Sequence, residues 1–249
     1  MAEADTGVAV NAQLHYVYRQ NTGTYPVPAR RVAVMHQPDF TPAERILDKA
    51  LSLGEAVSWE ALSLHRLADE LGLALNEIRA CYPQKDALVE AWFDRADAAA
   101  LAIPAEPGFD ELPLPKRLQR IIEAWLDALQ PHRRLTREML AYKLEPGHVH
   151  LQLAGITRIS RTVQWFREAA WQDSTGVRRI LEETALTLVY VNAFVRWLYD
   201  DSPDARATRE FLGRALRQQD DCLATFCASG QGTRTAQSGG TLPAQLAKE

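Results

Sequence analysis

The chain has 249 residues and a formal net charge of −4; 47% of its residues are hydrophobic and 24% are charged. This is the balance of a globular protein of one or two domains, with a core large enough to need neither metal nor disulfide support. Three cysteines (Cys81, Cys222 and Cys227) argue against a disulfide scaffold, and no apolar run reaches the ~18 residues of a membrane helix. The most apolar stretch, 186–198, is broken by Asn192 and Arg196. The N-terminus lacks an apolar leader core, so the expected compartment is the cytoplasm.

Residues 1–40 carry Gly, Pro, Asn and Thr with no sustained period and read as a disordered arm. Met35 lies just ahead of the first strong helix signal, and one expectation is that translation starts there. N-terminal sequencing of protein from its native cell checks this, and Ala2 at the terminus would end it. At Thr41 the pattern changes. Thr41 with Glu44 forms a capping box and Pro42 suits the first helical position. Ile46, Ala50 and Leu51 recur at helical spacing, with Leu53 expected to close the helix before Gly54. Ser63 caps a second helix carrying Leu64, Leu67, Ala68 and Leu71 on one face, which Gly72 ends. A third short helix spans about Leu75 to Cys81, Tyr82-Pro83 breaks it, and a fourth runs from Lys85 to about Leu101.

Pro104, Pro107, Gly108 and Pro113 make the sharpest change of composition, and the domain boundary is placed there. Beyond it every segment reads as helix. Leu118, Ile121, Ile122, Trp125 and Leu129 form one stripe. Helices then follow over about His132–Leu144, Leu151–Ala170 and Thr175–Asp200. A last helix, capped by Ser202-Pro203, carries Phe211, Leu212, Leu216 and Leu223. The expected class is all-α, with an arm at 1–40, one domain at 41–101, a second at 114–227 and a disordered tail at 228–249.

Three short helices, a tight Gly turn between the second and third, and a long fourth helix make a helix-turn-helix. The run Ser63-Leu-His-Arg-Leu-Ala-Asp-Glu-Leu-Gly-Leu73, then Ile78, Tyr82-Pro83 and Lys85-Asp86-Ala-Leu88, resembles the signature of the TetR regulator family over about sixty residues. The resemblance implies a DNA-reading role for Ser63, His65, Arg66, Ala74, Leu75, Asn76, Glu77, Arg79, Ala80 and Lys85. Of these, Asn76 suits adenine and Arg79 guanine, whereas Glu77 opposes phosphate and suits cytosine. The third helix departs from the family pattern by opening on Ala74 instead of Ser or Thr. Charge departs too: residues 41–100 hold six bases against eleven acids, a net charge of −5. Since phosphate neutralisation supplies nearly all non-specific affinity, recognition requires Arg66, Arg79, Lys85 and His65 to share a face with the acids behind it.

The resemblance also implies a homodimer joined through the last two helices and a ligand pocket among the middle ones. The helix near 175–200 is apolar on more than one face, through Ile180, Leu181, Leu188, Val195 and others, and must be covered on several sides. Trp125, Leu129, Met139, Trp165, Phe166, Tyr190 and Phe194 are the candidate lining, read either as plain core or, as a set, as an apolar cavity for a hydrophobic ligand. Trp165-Phe166, Asp173-Ser174, Tyr190, Asp200-Asp201-Ser202-Pro203-Asp204, Thr208 and Phe211-Leu212 resemble the TetR-fold accessory protein of coenzyme Q biosynthesis, which implies isoprenoid-lipid binding without DNA binding. The same acidic turn also reads as a helix cap.

The expected partners are therefore a double-stranded DNA operator, a hydrophobic or lipid ligand and a second copy. Effector binding is expected to change the spacing of the two reading heads. His148 and His150 lack further ligands at set spacing, so no metal is expected. No cofactor motif and no catalytic constellation is present, which points away from an enzyme.

Overall fold

A computed structural model describes residues 41–144 and 149–235, as backbone alone at 144, 149–154, 224 and 226–235. The expected arm with Met35, residues 145–148, the His150 side chain and the end of the tail lie outside the described residues. Among those described, the chain forms nine α-helices and no strand. They are α1 (Pro42–Val57), α2 (Leu64–Leu71), α3 (Leu75–Cys81), α4 (Lys85–Ala102), α5 (Leu114–Leu129), α6 (Arg133–Leu144), α7 (Val149–Ala169), α8 (Gly176–Leu198) and α9 (Arg206–Thr235).

Local chemistry sets the first boundaries. The Thr41 hydroxyl accepts from Glu44 N at 3.2 Å while the Glu44 carboxylate accepts from Thr41 N at 2.8 Å. Ser63 Oγ accepts from Arg66 N at 3.2 Å, and such a cap stabilises a helix by about 1 kcal/mol. Gly72 ends α2 at φ +64, a left-handed position where a side chain is disfavoured. Although α3 opens on Ala74, the Glu77 carboxylate accepts from Ala74 N at 2.7 Å and supplies half of a capping box. The Tyr82 hydroxyl donates to the Ala43 carbonyl at 2.9 Å and ties the end of α3 to the start of α1.

Gly54 does not stop the first helix, which runs on to Val57. A Cβ at Gly54 would lie 2.9 Å from Leu135 Cδ1 of α6, so the missing side chain serves close packing of α1 on α6. Beside that contact, Glu138 accepts from Trp59 N at 2.8 Å and Arg134 pairs with Glu55 at 2.8 Å.

The Pro-rich connection does not interrupt the core. One cluster runs from Ile46 and Leu67 through Trp92 and Ile121 to Leu212. Phe109 is fully buried within the connection, edge-on to Trp171 at 5.4 Å. Three buried tryptophans have their indole N–H satisfied: Trp92 by Thr136 at 2.9 Å, Trp125 by Asp97 at 2.8 Å and Trp197 by Gln130 at 3.0 Å. The start of α9 is organised by Asp200, which is buried. Its carboxylate accepts from Ser202 N at 2.9 Å and from Thr208 N at 2.7 Å, so the acidic turn is a cap. Burial opposes ionisation there, but the hydrogen bonds from Ser202 and Thr208 outweigh it and hold the carboxyl well below the usual carboxylate range. The α9 helix continues past Cys227 to Thr235, where the sequence suggested that the tail had begun.

Candidate DNA-reading surface and ligand cavity

The turn between α2 and α3 exposes Ser63, His65, Arg66, Ala74, Leu75, Asn76, Glu77, Arg79 and Ala80, while Leu67, Ala68 and Ile78 are buried beneath. Leu75 is half exposed although apolar. Arg66 and Arg79 make no hydrogen bond or ion pair among the described residues. His65 lies 3.3 Å from Asp69, both well exposed. Lys85 is placed differently. Its Nζ donates to the Glu60 carbonyl at 3.1 Å and sits 5.2 Å from the centre of the Trp59 ring, and burial pulls its pKa down. Of the four expected cations, Arg66 and Arg79 make no ion pair among the described residues, His65 faces Asp69, and Lys85 is tied to its own fold.

Of the acids of this segment, Asp69, Glu70 and Glu77 are exposed on α2 and α3, whereas four others lie on α4. Asp86, Glu90, Asp94 and Asp97 recur every three to four residues along α4 and form one stripe. Lys143 of α6 pairs with Asp86 at 3.0 Å and Glu90 at 2.6 Å. Arg158 of α7 pairs with Glu90 at 3.2 Å, Asp94 at 2.6 Å and Asp97 at 2.9 Å, and Arg161 adds a contact to Asp94 at 3.4 Å. Removing carboxylates from water is costly unless cations and hydrogen bonds replace the water. Burial raises the Glu90 carboxyl, but Lys143 and Arg158 outweigh it and leave its pKa below the ordinary value. At Asp97 burial wins over Arg158, Trp125 and Thr162, and the pKa is raised.

Against this ladder lies a cavity of about 580 Å³ between α4, α5, α6, α7 and α8, within the range of about 300–1,000 Å³ of small-molecule sites. Trp125, Tyr190 and Phe194 line it, together with Phe93, Ile159 and Val191. The rings interlock: Trp125 meets Phe194 edge-on at 5.1 Å and Tyr190 at 5.4 Å, and stacks on Phe93 at 5.9 Å. Tyr190 is 4% exposed, its hydroxyl has no hydrogen-bond partner among the described residues, and burial raises its pKa.

The other four expected lining residues do not reach the cavity. Leu129, Met139 and Phe166 are closed into the core, Phe166 lying behind Trp125 and Tyr190 at 6.4 and 5.2 Å. Trp165, one position from Phe166 on α7, points away from the core and is 46% exposed. Helical periodicity marks burial but not whether the neighbour is protein or open space. Sequence reading also missed Glu90, Arg137, Lys143 and Arg158, all on the cavity wall. The available signal was the acidic stripe of α4, which demands cations from other helices.

On α8, Val177, Ile180, Leu181, Leu188, Val195 and Tyr199 form an exposed apolar face. Thr184 and Asn192 on that face donate to the carbonyls of Ile180 and Leu188 at 2.8 Å each, so they require no outside partner. No described helix is long and apolar enough to cross a membrane.

A family model described as COQ9 matches residues 174–222, which span α8 and the first half of α9. No curated protein matches the chain. Among solved structures, a TetR transcriptional regulator from Rhodococcus sp. RHA1 shares the fold at 18% identity and a TM-score of 0.53, covering 70% of this chain and 93% of that one. A TetR transcriptional regulator from Nitrosomonas europaea ATCC 19718 is 42% identical with a TM-score of 0.64, over 72% of this chain and 97% of that one. With nearly the whole Nitrosomonas protein matched at that identity, the chain belongs to the TetR family of transcriptional regulators.

Proposed function

We propose that the chain is a homodimeric regulator that binds a double-stranded DNA operator and responds to a hydrophobic ligand. Residues 41–101 act as the reading head, and 114–227 as the ligand and dimer part. The observation that carries this reading is the separation of charge across the first four helices. Arg66 and Arg79 are exposed and unpaired, while Asp86, Glu90, Asp94 and Asp97 are matched by Lys143, Arg158 and Arg161. The face with the free cations is the one that a helix-turn-helix presents to the major groove. The apolar face of α8 supports the dimer, since an exposed patch of this kind marks an interaction surface. The cavity beside α4 supports a ligand whose occupancy reaches the reading helices through that helix.

Fluorescence anisotropy with labelled DNA from the protein's own upstream region, at low ionic strength, tests the reading. The wild type is expected to bind and Arg66→Ala/Arg79→Ala is not. A wild-type protein that binds neither this DNA nor any fragment in a genomic pull-down ends the proposal.

A second reading is a lipid-binding accessory protein without DNA binding. The COQ9 match over 174–222 favours it, as does Lys85, which is drawn away from the reading face by the Glu60 carbonyl. Native mass spectrometry that finds lipid held by a protein retaining no DNA selects this reading. A protein that purifies with an empty cavity removes it.

A further inference from the structure

We infer that the cavity takes a single-chain anionic amphiphile, with a carboxylate or phosphate head against Arg137 and an aliphatic tail along α7 and α8. The inference rests on the ligand-binding reading above and adds the class of ligand. Four charged side chains line the cavity: Glu90, Arg137, Lys143 and Arg158. Three of them are ion-paired within the protein, because Lys143 and Arg158 share the four carboxylates of α4. Arg137 is the exception. Its neighbours on α6 have acidic partners, Arg133 with Asp201 at 3.7 Å and Arg134 with Glu138 at 2.6 Å. Arg137 has no ion pair and no hydrogen bond among the described residues, and its guanidinium rests 5.4 Å from the centre of the Tyr199 ring.

A half-buried guanidinium that meets no carboxylate on this wall lacks the acceptors that its five N–H groups require. A carboxylate or phosphate supplies two in a bidentate fork, with the geometry that arginine matches best. The rest of the wall rejects a ligand that is charged throughout. Phe93, Ile159, Val191 and Phe194 line it, and Ile156 and Val195 are more than half exposed on its open side. An alkyl chain covers these groups, whereas a cationic head would meet Arg137 with like charge. Inside, the Tyr190 hydroxyl has no partner among the described residues and accommodates an oxygen part-way along the tail.

The test uses the full-length protein and four probes below their micellar concentrations: dodecanoate, dodecyl phosphate, dodecanol and dodecyltrimethylammonium. Intrinsic tryptophan fluorescence and calorimetry report binding. Dodecanoate or dodecyl phosphate is expected to bind at least ~10-fold more tightly than dodecanol, the advantage of a charge-assisted bond over a neutral one. The tighter of the two identifies the head group, and the cationic probe is expected not to bind. Shortening the chain by two methylenes lowers affinity about tenfold. Arg137→Gln removes the preference for the acids and leaves dodecanol affinity within about threefold, while Arg137→Lys restores part of it. Circular dichroism melting confirms that both variants fold. Acids that bind no better than the alcohol, or an Arg137→Gln protein that keeps the preference, overturn the inference and leave the hydrophobic-ligand reading intact. If none of the four probes binds, the inference and the ligand part of that reading fall together, and the DNA measurement is unaffected.

Discussion

Arg79 and Arg158 are both arginines in acidic surroundings, and the fold uses them in opposite ways. Arg79 sits on α3 in solvent and meets no carboxylate. Arg158 sits on α7, is 8% exposed, and meets Glu90, Asp94 and Asp97. The first is available to an outside partner, whereas the second completes the charge of a helix distant in sequence. A net charge of −5 over residues 41–100 therefore overstates the negative charge near the turn between α2 and α3, because Lys143, Arg158 and Arg161 from other helices pair with the four acids on α4.

The strongest way to break the contrast is Arg158→Leu. It leaves the buried Asp97 without a cation and takes one cation from Glu90 and Asp94, which keep Lys143 and Arg161, and is expected to cost about 3–5 kcal/mol of folding stability. Urea denaturation reads this, and a loss below about 1 kcal/mol would mean that water replaces the guanidinium freely. Arg79→Ala is expected to do the reverse: thermal stability stays within about 0.5 kcal/mol, while DNA binding weakens by about 1–3 kcal/mol per half-site. Equal binding by wild type and variant would remove Arg79 from the reading surface.

Asp200 sharpens the comparison, being an acid stabilised mainly by N–H and hydroxyl groups in place of a cation. Asp200→Ala is expected to cost about 1–2 kcal/mol at neutral pH through loss of the cap. The folded-state pKa of Asp200 lies below its unfolded value, so its contribution is complete above about pH 4 and lost as pH falls through the lowered value. The stability gap between wild type and variant should therefore close in acid. A gap that is constant from pH 7 to pH 3 would show that the charge does not matter. The smallest effect is expected from Glu77→Gln. It keeps an acceptor for Ala74 N and removes a negative charge from the reading face, so stability changes by less than about 0.5 kcal/mol. DNA binding should tighten, most clearly at low ionic strength, and weaker binding would assign Glu77 a direct contact with a base.

What was legible in the sequence was local. The Thr41–Glu44 box, the Ser63 cap, the Gly72 turn and the stripe of α5 are fixed by residues three or four apart, and each is where the pattern placed it. Gly54 misled because its reason is tertiary: the glycine admits Leu135 from another helix, and nothing near it in sequence announces that. Ser58, at φ +116, is held by neighbours in a backbone region that favours glycine, and its residue type gives no sign of it. At the cavity, Trp125, Tyr190 and Phe194 were readable as large rings on buried faces. The same rule also admitted Leu129, Met139 and Phe166, because burial against protein and burial against open space leave the same periodicity. The acidic stripe of α4 calls for cations, but which ones, among Arg137, Lys143 and Arg158, is decided only once α6 and α7 lie against α4 and α8.

The long sequence distance between the α4 stripe and its cations bears on synthesis. Asp97 and Arg158 are 61 residues apart, and Asp86 and Lys143 are 57 apart. At about 5–20 residues per second, a ribosome leaves these carboxylates without counter-charges for roughly 3–12 seconds. During that interval Asp86, Glu90, Asp94 and Asp97 repel one another along a single helix, and α1 has yet to receive Leu135 against Gly54. The N-terminal helices thus emerge first but reach their final balance late, when the nascent chain has delivered α6 and α7. Their maturation is timed by the arrival of the ligand-cavity wall.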